Sequence, residues 1–263
     1  MIIYSTTPGK PKSLSLLVNI AQPRKTIFYR GTLHVQRRPK VAIVGTRRPS
    51  RYGQEVTHLF ASELARQGVV IVSGLALGVD AIAHRAALEV NGTTLAILGN
   101  GLPTIYPASH RQHGNDIMDR GGAVLSEYEP ETPARNYRFL ERNRIVSGIA
   151  DAILITEAAA RSGTLNTTMH ALEQGKEVFV VPGNITSPLS AGCNMLLRQG
   201  AAPATSAEDI LSVIAPSTIT EQPRLPLGTT AEETTIIQLI QSGIRDGDEL
   251  QQASGIEASL FST

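Results

Sequence analysis

From residue 41 onward, short apolar, β-branched runs alternate with amphipathic stretches. Residues 41–45, 69–73, 93–98, 123–126, 152–156 and 177–181 read as strands, and the stretches near 54–67, 80–90, 110–120, 139–149 and 164–174 as the helices between them. Strands that read as continuous apolar runs are covered on both faces, and strands alternating with helices build a parallel sheet. The expected fold is therefore α/β: an extended, Rossmann-like, doubly wound domain with a mainly parallel sheet. Residues 1–38 are expected as an N-terminal extension packing on this core, and 39–213 as the core itself. Within the extension, Lys10 to Ala21 is basic and then briefly apolar, like a signal peptide. Its apolar run is broken by Asn19, so it reads as a small structural helix. Residues 214–231 hold three prolines and no periodicity, the pattern of a linker. Beyond it, Glu232 to Ile240, Asp246 to Ala253 and Glu257 to Phe261 read as three short helices, too little chain for a core of their own.

Three strands run into glycine-bearing turns. Val41-Ala-Ile-Val-Gly45 leads to Thr46-Arg-Arg-Pro-Ser-Arg-Tyr-Gly53, the run 69–72 to Ser73-Gly-Leu-Ala-Leu-Gly-Val-Asp80, and 152–156 to Arg161-Ser-Gly-Thr-Leu-Asn-Thr167. A strand passing through glycine into a helix presents unpaired N–H groups at the positive end of a helix dipole, which suits an anion. In open α/β sheets such turns gather at the carboxyl ends of the strands. Three of them suggest a row of phosphate sites. The first lacks the further glycines of the dinucleotide fingerprint, and no P-loop sequence occurs, which disfavours NAD, FAD and P-loop chemistry. No cofactor is expected.

Charge changes the picture only when divided. The net charge is +1, yet residues 1–204 carry a balance of +8 and residues 205–263 one of −7. The acidic part either lies away from a polyanion or competes with it, and a solvated polar face accounts for it equally well. The single cysteine, Cys193, in a small-residue turn, excludes an intrachain disulfide and reads as buried and inert. No His/Cys/Asp/Glu grouping has metal-ligand spacing, and no run reaches the roughly 20 apolar residues of a membrane span. A reducing cytoplasm is the expected location.

Arg47, Arg48 and Arg51 surround Ser50 and Gly53 in the first turn, donors suited to an oxyanion or simply a solvated loop. A second basic cluster, Arg135-Asn-Tyr-Arg-Phe-Leu-Glu-Arg-Asn-Arg144, interleaves four arginines with Tyr137 and Phe139. Cations that track phosphate beside rings that stack on bases are what single strands require, although an amphipathic helix with a core aromatic gives the same pattern. Asp80 and His84, four apart on one helix, are read as structural, because no nucleophile accompanies them. Glu157 and Glu173 are the candidates for an acid/base pair.

These motifs together resemble the DNA-processing protein A (DprA/Smf) family. The resemblance rests on Val41 to Arg47 with Pro49-Ser-Arg-Tyr-Gly53, Ser73 to His84, Gly99-Asn-Gly-Leu-Pro-Thr-Ile-Tyr-Pro107, Ser126-Glu127, Arg142-Asn-Arg144, Ser162-Gly-Thr-Leu165 and Val181-Pro-Gly183, in order across residues 39–212. It implies a homodimer that binds single-stranded DNA without strong sequence preference, protects incoming strands in natural transformation and helps load the recombinase RecA, without turnover chemistry. Matching of motifs places DNA contacts at Arg47, Ser50, Gly53, Gly74, Arg138, Arg142, Asn143, Arg144, Ser162, Gly163, Thr164 and Lys176, with a base meeting Phe139 or Tyr137. Asn166 stands where the family usually has an aliphatic residue, and Lys176 where an arginine is frequent. Asp248 to Ile256 resembles the start of a winged helix, so 232–263 is expected as a partial winged-helix-like segment stopping before a wing, with no helical domain ahead of residue 1. The competing expectation is a nucleotide-cleaving phosphoribohydrolase of the lysine decarboxylase-like group, although its Pro-Gly-Gly-x-Gly-Thr signature is missing.

Overall fold

The computed structural model describes residues 2–23, 25–215 and 246–256, together with 235, 236 and 239. The chain divides into two compact units, Met1–Thr218 and Ile219–Thr263. In the second unit, α8 (Gly247–Ser254) occupies the stretch expected as the middle helix. The expected helix at 257–261, most of that at 232–240 and nearly all of the linker lie outside the described residues.

The first unit is built on nine strands: β1 (Tyr4–Thr6), β2 (Ile27–Gly31), β3 (Lys40–Val44), β4 (Val70–Ser73), β5 (Thr94–Leu98), β6 (Ala123–Ser126), β7 (Ala152–Ile155), β8 (Glu177–Val180) and β9 (Ala202–Pro203). Their order across the sheet is β1-β2-β6-β5-β4-β3-β7-β8-β9, and β6 to β9 are parallel throughout. The six strands read from the sequence account for six of the seven strands of this parallel body, β9 being the one not anticipated. The extension does more than pack on it: β2 pairs antiparallel with β6, Phe28 opposite Ser126, and β1 with β2. The segment Lys12–Asn19 is helical, of the tighter 3-10 kind, and buries Leu14 and Leu17.

Alternation along each strand sorts the core into two faces. Ala42, Val44, Ile153, Ile155, Val178 and Val180 point one way, against Leu14 and Leu17, Ile145 and Ile149 of α4 (Asn136–Ile149), Ala171 of α5 (Thr164–Glu173) and Leu196 of α6 (Ala191–Arg198). Val41, Ile43, Ile71, Leu154 and Phe179 point the other way. They meet Phe60 and Leu64 of α1 (Arg51–Arg66), Ala83 and Ala87 of α2 (Val79–Glu89) and Ile210 of α7 (Ala207–Ile214). Beside these, Ile117 of α3 (Arg111–Asp119) packs with Leu98 and Val124. Each large side chain removed from water in this way contributes about 1.5–3 kcal/mol.

The topology decides where a ligand can sit. From β3 the chain winds outward through β4 and β5 to β6, then α4 carries it back to β7 on the other flank of β3. Between β3 and β7 the loops leave in opposite directions and open a crevice at the carboxyl ends, the switch point at which such sheets bind ligands.

Candidate nucleic-acid interface

The crevice contains a cavity of about 210 Å³ lined by Gly45, Arg47, Asp80, Phe139, Arg142, Asn143, Gly163 and Thr164. A smaller hollow of about 90 Å³ continues it past Gly74, Leu77, Tyr106 and Pro107. Drug-sized ligands occupy pockets of roughly 300–1,000 Å³, so the enclosed part of this space is on the scale of a phosphate and part of a nucleoside. Arg47 stands exposed on the rim. Across the cleft the rings of Phe139 and Tyr106 stack with centroids 5.2 Å apart, and Tyr106 is half-exposed.

The three glycine turns meet this edge, but two of them already hold a carboxylate of the protein. Ser50 caps α1, its hydroxyl accepting from the Gly53 N–H at 3.1 Å. That hydroxyl donates to Glu157 Oε1 at 2.6 Å, and the Ser50 N–H donates to Oε2 at 2.8 Å. Glu157 is buried, and an added Cβ on Gly53 would strike its carboxylate. At the second turn, Asp80 Oδ2 accepts the N–H groups of Gly74 at 3.0 Å and Ala76 at 3.3 Å. Burial pushes the Asp80 carboxyl above its ordinary range, against the opposing pull of Arg142. The third turn is different. Ser162 Oγ donates to Thr164 Oγ1 and accepts the Thr164 N–H, while Gly163 is exposed with open space above it. Of the three, this is the turn whose anion seat is not filled from within.

The expected contacts therefore separate. Arg47, Asn143, Gly163 and Thr164 line one cleft, with Ser162 bonded into its wall. Asn143 donates to Asn166 Oδ1 at 3.1 Å, so the unusual Asn166 orients a cleft residue. Gly74 and Arg142 form the floor. Arg142, expected as a DNA contact, is buried, and its Nη1 donates to the carbonyls of Gly74 (2.7 Å) and Ile97. Burial lowers the Arg142 pKa, and Asp80 counters it. Arg144 is turned inward as well, in a buried ion pair with Glu127. Ser50 borders an adjacent depression with Tyr52, Pro182 and Ser190, which Glu157 also lines, and Gly53 packs against the Glu157 carboxylate. Lys176 is not part of the constellation. It precedes β8 and therefore lies at the amino ends of the parallel strands, where Asp151 and Arg37 are its electrostatic neighbours.

The candidate acid/base pair is not assembled either. Both Glu157 oxygens accept from Ser50, while Glu173 is exposed at the other end of α5, a helix about 15 Å long. Asp80 and His84 turn to different partners, the latter's Nδ1 to Thr94 Oγ1 at 2.6 Å. Cys193 is buried, which pushes its thiol pKa to about 11. Among the described residues no group of three or more His, Cys, Asp or Glu side chains is placed to hold a metal ion. No helix among them is long and apolar enough to cross a membrane. Tyr106, which lines the hollow, is not among the expected contacts, although Gly99 to Pro107 carries the signal: an aromatic beside proline in a loop after a strand.

The family model for DNA recombination-mediator protein A matches residues 4–215. The chain belongs to this family. It is 47% identical over 185 residues to Protein Smf of Escherichia coli K12, and 40% identical over 195 residues to DNA processing protein DprA of Bacillus subtilis 168. Those alignments take in 70% and 74% of this chain but 50% and 65% of the relatives, so the chain spans half to two-thirds of their length. Among solved structures, DNA processing protein A from Streptococcus pneumoniae superposes with a TM-score of 0.74 at 36% identity, covering 81% of this chain and 74% of that one. The Helicobacter pylori protein, whose structure addresses its single-stranded DNA binding mode, superposes with a TM-score of 0.69 at 33% identity, covering 80% and 94%. The Rossmann-like core is thus shared with these proteins.

Proposed function

We propose that this protein binds single-stranded DNA along the carboxyl edge of its sheet, protecting incoming strands and assisting the loading of the recombinase RecA in transformation or recombination. The observation that carries the DNA reading is the cleft itself. An exposed arginine, Arg47, and an open helix-start turn, Ser162-Gly163-Thr164, face a stacked pair of rings, Phe139 and Tyr106. Phosphate takes the first two and a base the third, the division of labour that strand binders use. In this reading Arg47, Asn143, Ser162, Gly163 and Thr164 contact the strand. Ser50, Gly53, Gly74, Arg142 and Arg144 shape the surface it lies on. The site favours binding over turnover, because the cleft carboxylate, Asp80, and Glu157 in the adjacent depression are engaged by backbone and hydroxyl donors.

RecA loading and the cytoplasmic location rest on family membership. The homodimer has one further support in the fold: Met169 and Leu172, three apart on α5, are each about 60% exposed.

Fluorescence anisotropy of labelled oligo-dT and of a matching duplex, at two salt concentrations, tests the DNA reading. Single-strand preference that weakens steeply with salt is expected. Absence of binding at low salt overturns it and leaves nucleoside monophosphate hydrolysis as the assay to run.

A further inference from the structure

Immediately beside the cleft, on the other side of the first turn of α4, lies a larger open groove of about 680 Å³. Phe139 faces the cleft, whereas its neighbours Tyr137 and Arg138, with Glu141 one turn on, line the groove together with Tyr128 and Glu129. Arg138 is held locally. Its guanidinium donates to the Pro133 carbonyl and lies between two rings, 5.3 Å from the centroid of Tyr128 and 5.5 Å from that of Tyr137. Tyr137 is half-exposed, and the Tyr128 hydroxyl donates to Glu141 Oε2 at 2.8 Å, which fixes the carboxylate at the groove wall.

Such a surface selects a base rather than a backbone. A ring and a guanidinium plane offer a stacking platform. Among the described residues that line the groove, the carboxylates of Glu127, Glu129 and Glu141 offset Lys25 and Arg138, which does not favour phosphate. Carboxylates accept hydrogen bonds and donate none. Cytosine, adenine and guanine present an exocyclic amino group to an acceptor, whereas thymine has none and offers a single N3–H flanked by two carbonyl oxygens that a carboxylate repels.

We propose that this groove is a second base subsite, which takes an unstacked nucleobase bearing an exocyclic amino group from a strand held in the neighbouring cleft, and disfavours thymine. The proposal rests on the single-strand reading. A helix is about 10 Å across, so the subsite lies roughly two to three nucleotides from the base at Phe139.

The test is anisotropy with 12-nucleotide oligo-dC and oligo-dT on the full chain and three variants. The unaltered chain is expected to bind oligo-dC about tenfold more tightly than oligo-dT. Glu129→Gln/Glu141→Gln erases that difference without weakening oligo-dT, Tyr137→Ala weakens oligo-dC about tenfold, and Arg47→Ala weakens both alike. Photocrosslinks from 5-iododeoxycytidine are expected at Tyr137 or Tyr128 as well as at the cleft. Equal affinities in the unaltered chain, a preference that survives the glutamine changes, or crosslinks confined to the cleft overturn the subsite while leaving the single-strand reading intact. Failure of the unaltered chain to bind either oligomer overturns both.

Discussion

Asp80 and Arg142 close on the Gly74 turn from opposite sides. The carboxylate takes the N–H groups of Gly74 and Ala76, the guanidinium takes the Gly74 carbonyl, and each charge compensates the burial of the other. Between them Leu75, fully buried, holds a left-handed φ of 55°, a conformation costing about 1–3 kcal/mol for a residue with a side chain. The clamp holds that turn in place and so gives the cleft a preformed wall.

Removing Arg142 takes away the charge that offsets the burial of Asp80 and leaves the Gly74 and Ile97 carbonyls without that donor, at about 1–3 kcal/mol for each buried group left unsatisfied. Arg142→Ala is therefore expected to lower the urea midpoint strongly. Arg47→Ala, on the exposed rim, is expected to change stability by less than about 0.5 kcal/mol. Equal stability of the two variants in urea unfolding would show that Arg142 is not the strut described here.

Glu157 fills the start of α1 in the manner of a bound anion, and Gly53 is small because that carboxylate lies against it. Gly53→Ala is expected to push Glu157 off Ser50 and destabilise the fold by about 1–3 kcal/mol. Glu157→Gln keeps an acceptor for the Ser50 N–H but removes the charge, and its NH₂ donates to the Ser50 hydroxyl where the carboxylate accepted from it, so a smaller loss is expected. Thermal unfolding of both variants checks this, and an unchanged melting temperature for Gly53→Ala would contradict it.

The packed histidines give a pH dependence. Thr94 Oγ1 donates to the Ile71 carbonyl, so it accepts from His84 Nδ1–H, and His84 Nε2 is left buried and neutral. Burial, then the neighbouring histidines, hold the His84 pKa well below 6.5, and burial with His110 and Arg85 lowers that of His113 to about 4. As pH falls from about 6.5 to about 4, the unfolded chain takes up protons that the folded one refuses, so stability declines across that window. Urea midpoints measured from pH 7 to 4.5 are expected to fall less steeply for His113→Gln than for the unaltered chain. Parallel slopes would remove His113 from this account.

The parallel body of the sheet was legible because its strands are apolar on both faces, as β3 shows with every residue buried. The edge strands were not, since β1 is three residues long and exposed at two of them, leaving no burial pattern to read. The start of α4 at Asn136, three residues ahead of the expected stretch, follows from Arg135 in extended conformation as its cap. The positions of the glycine turns were read correctly, their occupants only in part. Asp80 lies six residues from Gly74 and was within reach of local reasoning. Glu157 lies 107 residues from Ser50, and only strand order brings them together. Strand order also places Lys176 at the amino ends of the parallel strands, away from the cleft, because it precedes β8.

The central claim is that Arg47 holds strand phosphate at the switch point, and the salt dependence of oligonucleotide binding tests it most directly. For single strands the slope of log affinity against log salt changes by about 0.7 for each phosphate contact. The slope for oligo-dT is expected to become shallower by about that amount in Arg47→Ala while the urea midpoint stays where it was. An unchanged slope and affinity in this variant would contradict the placement of the strand in this cleft.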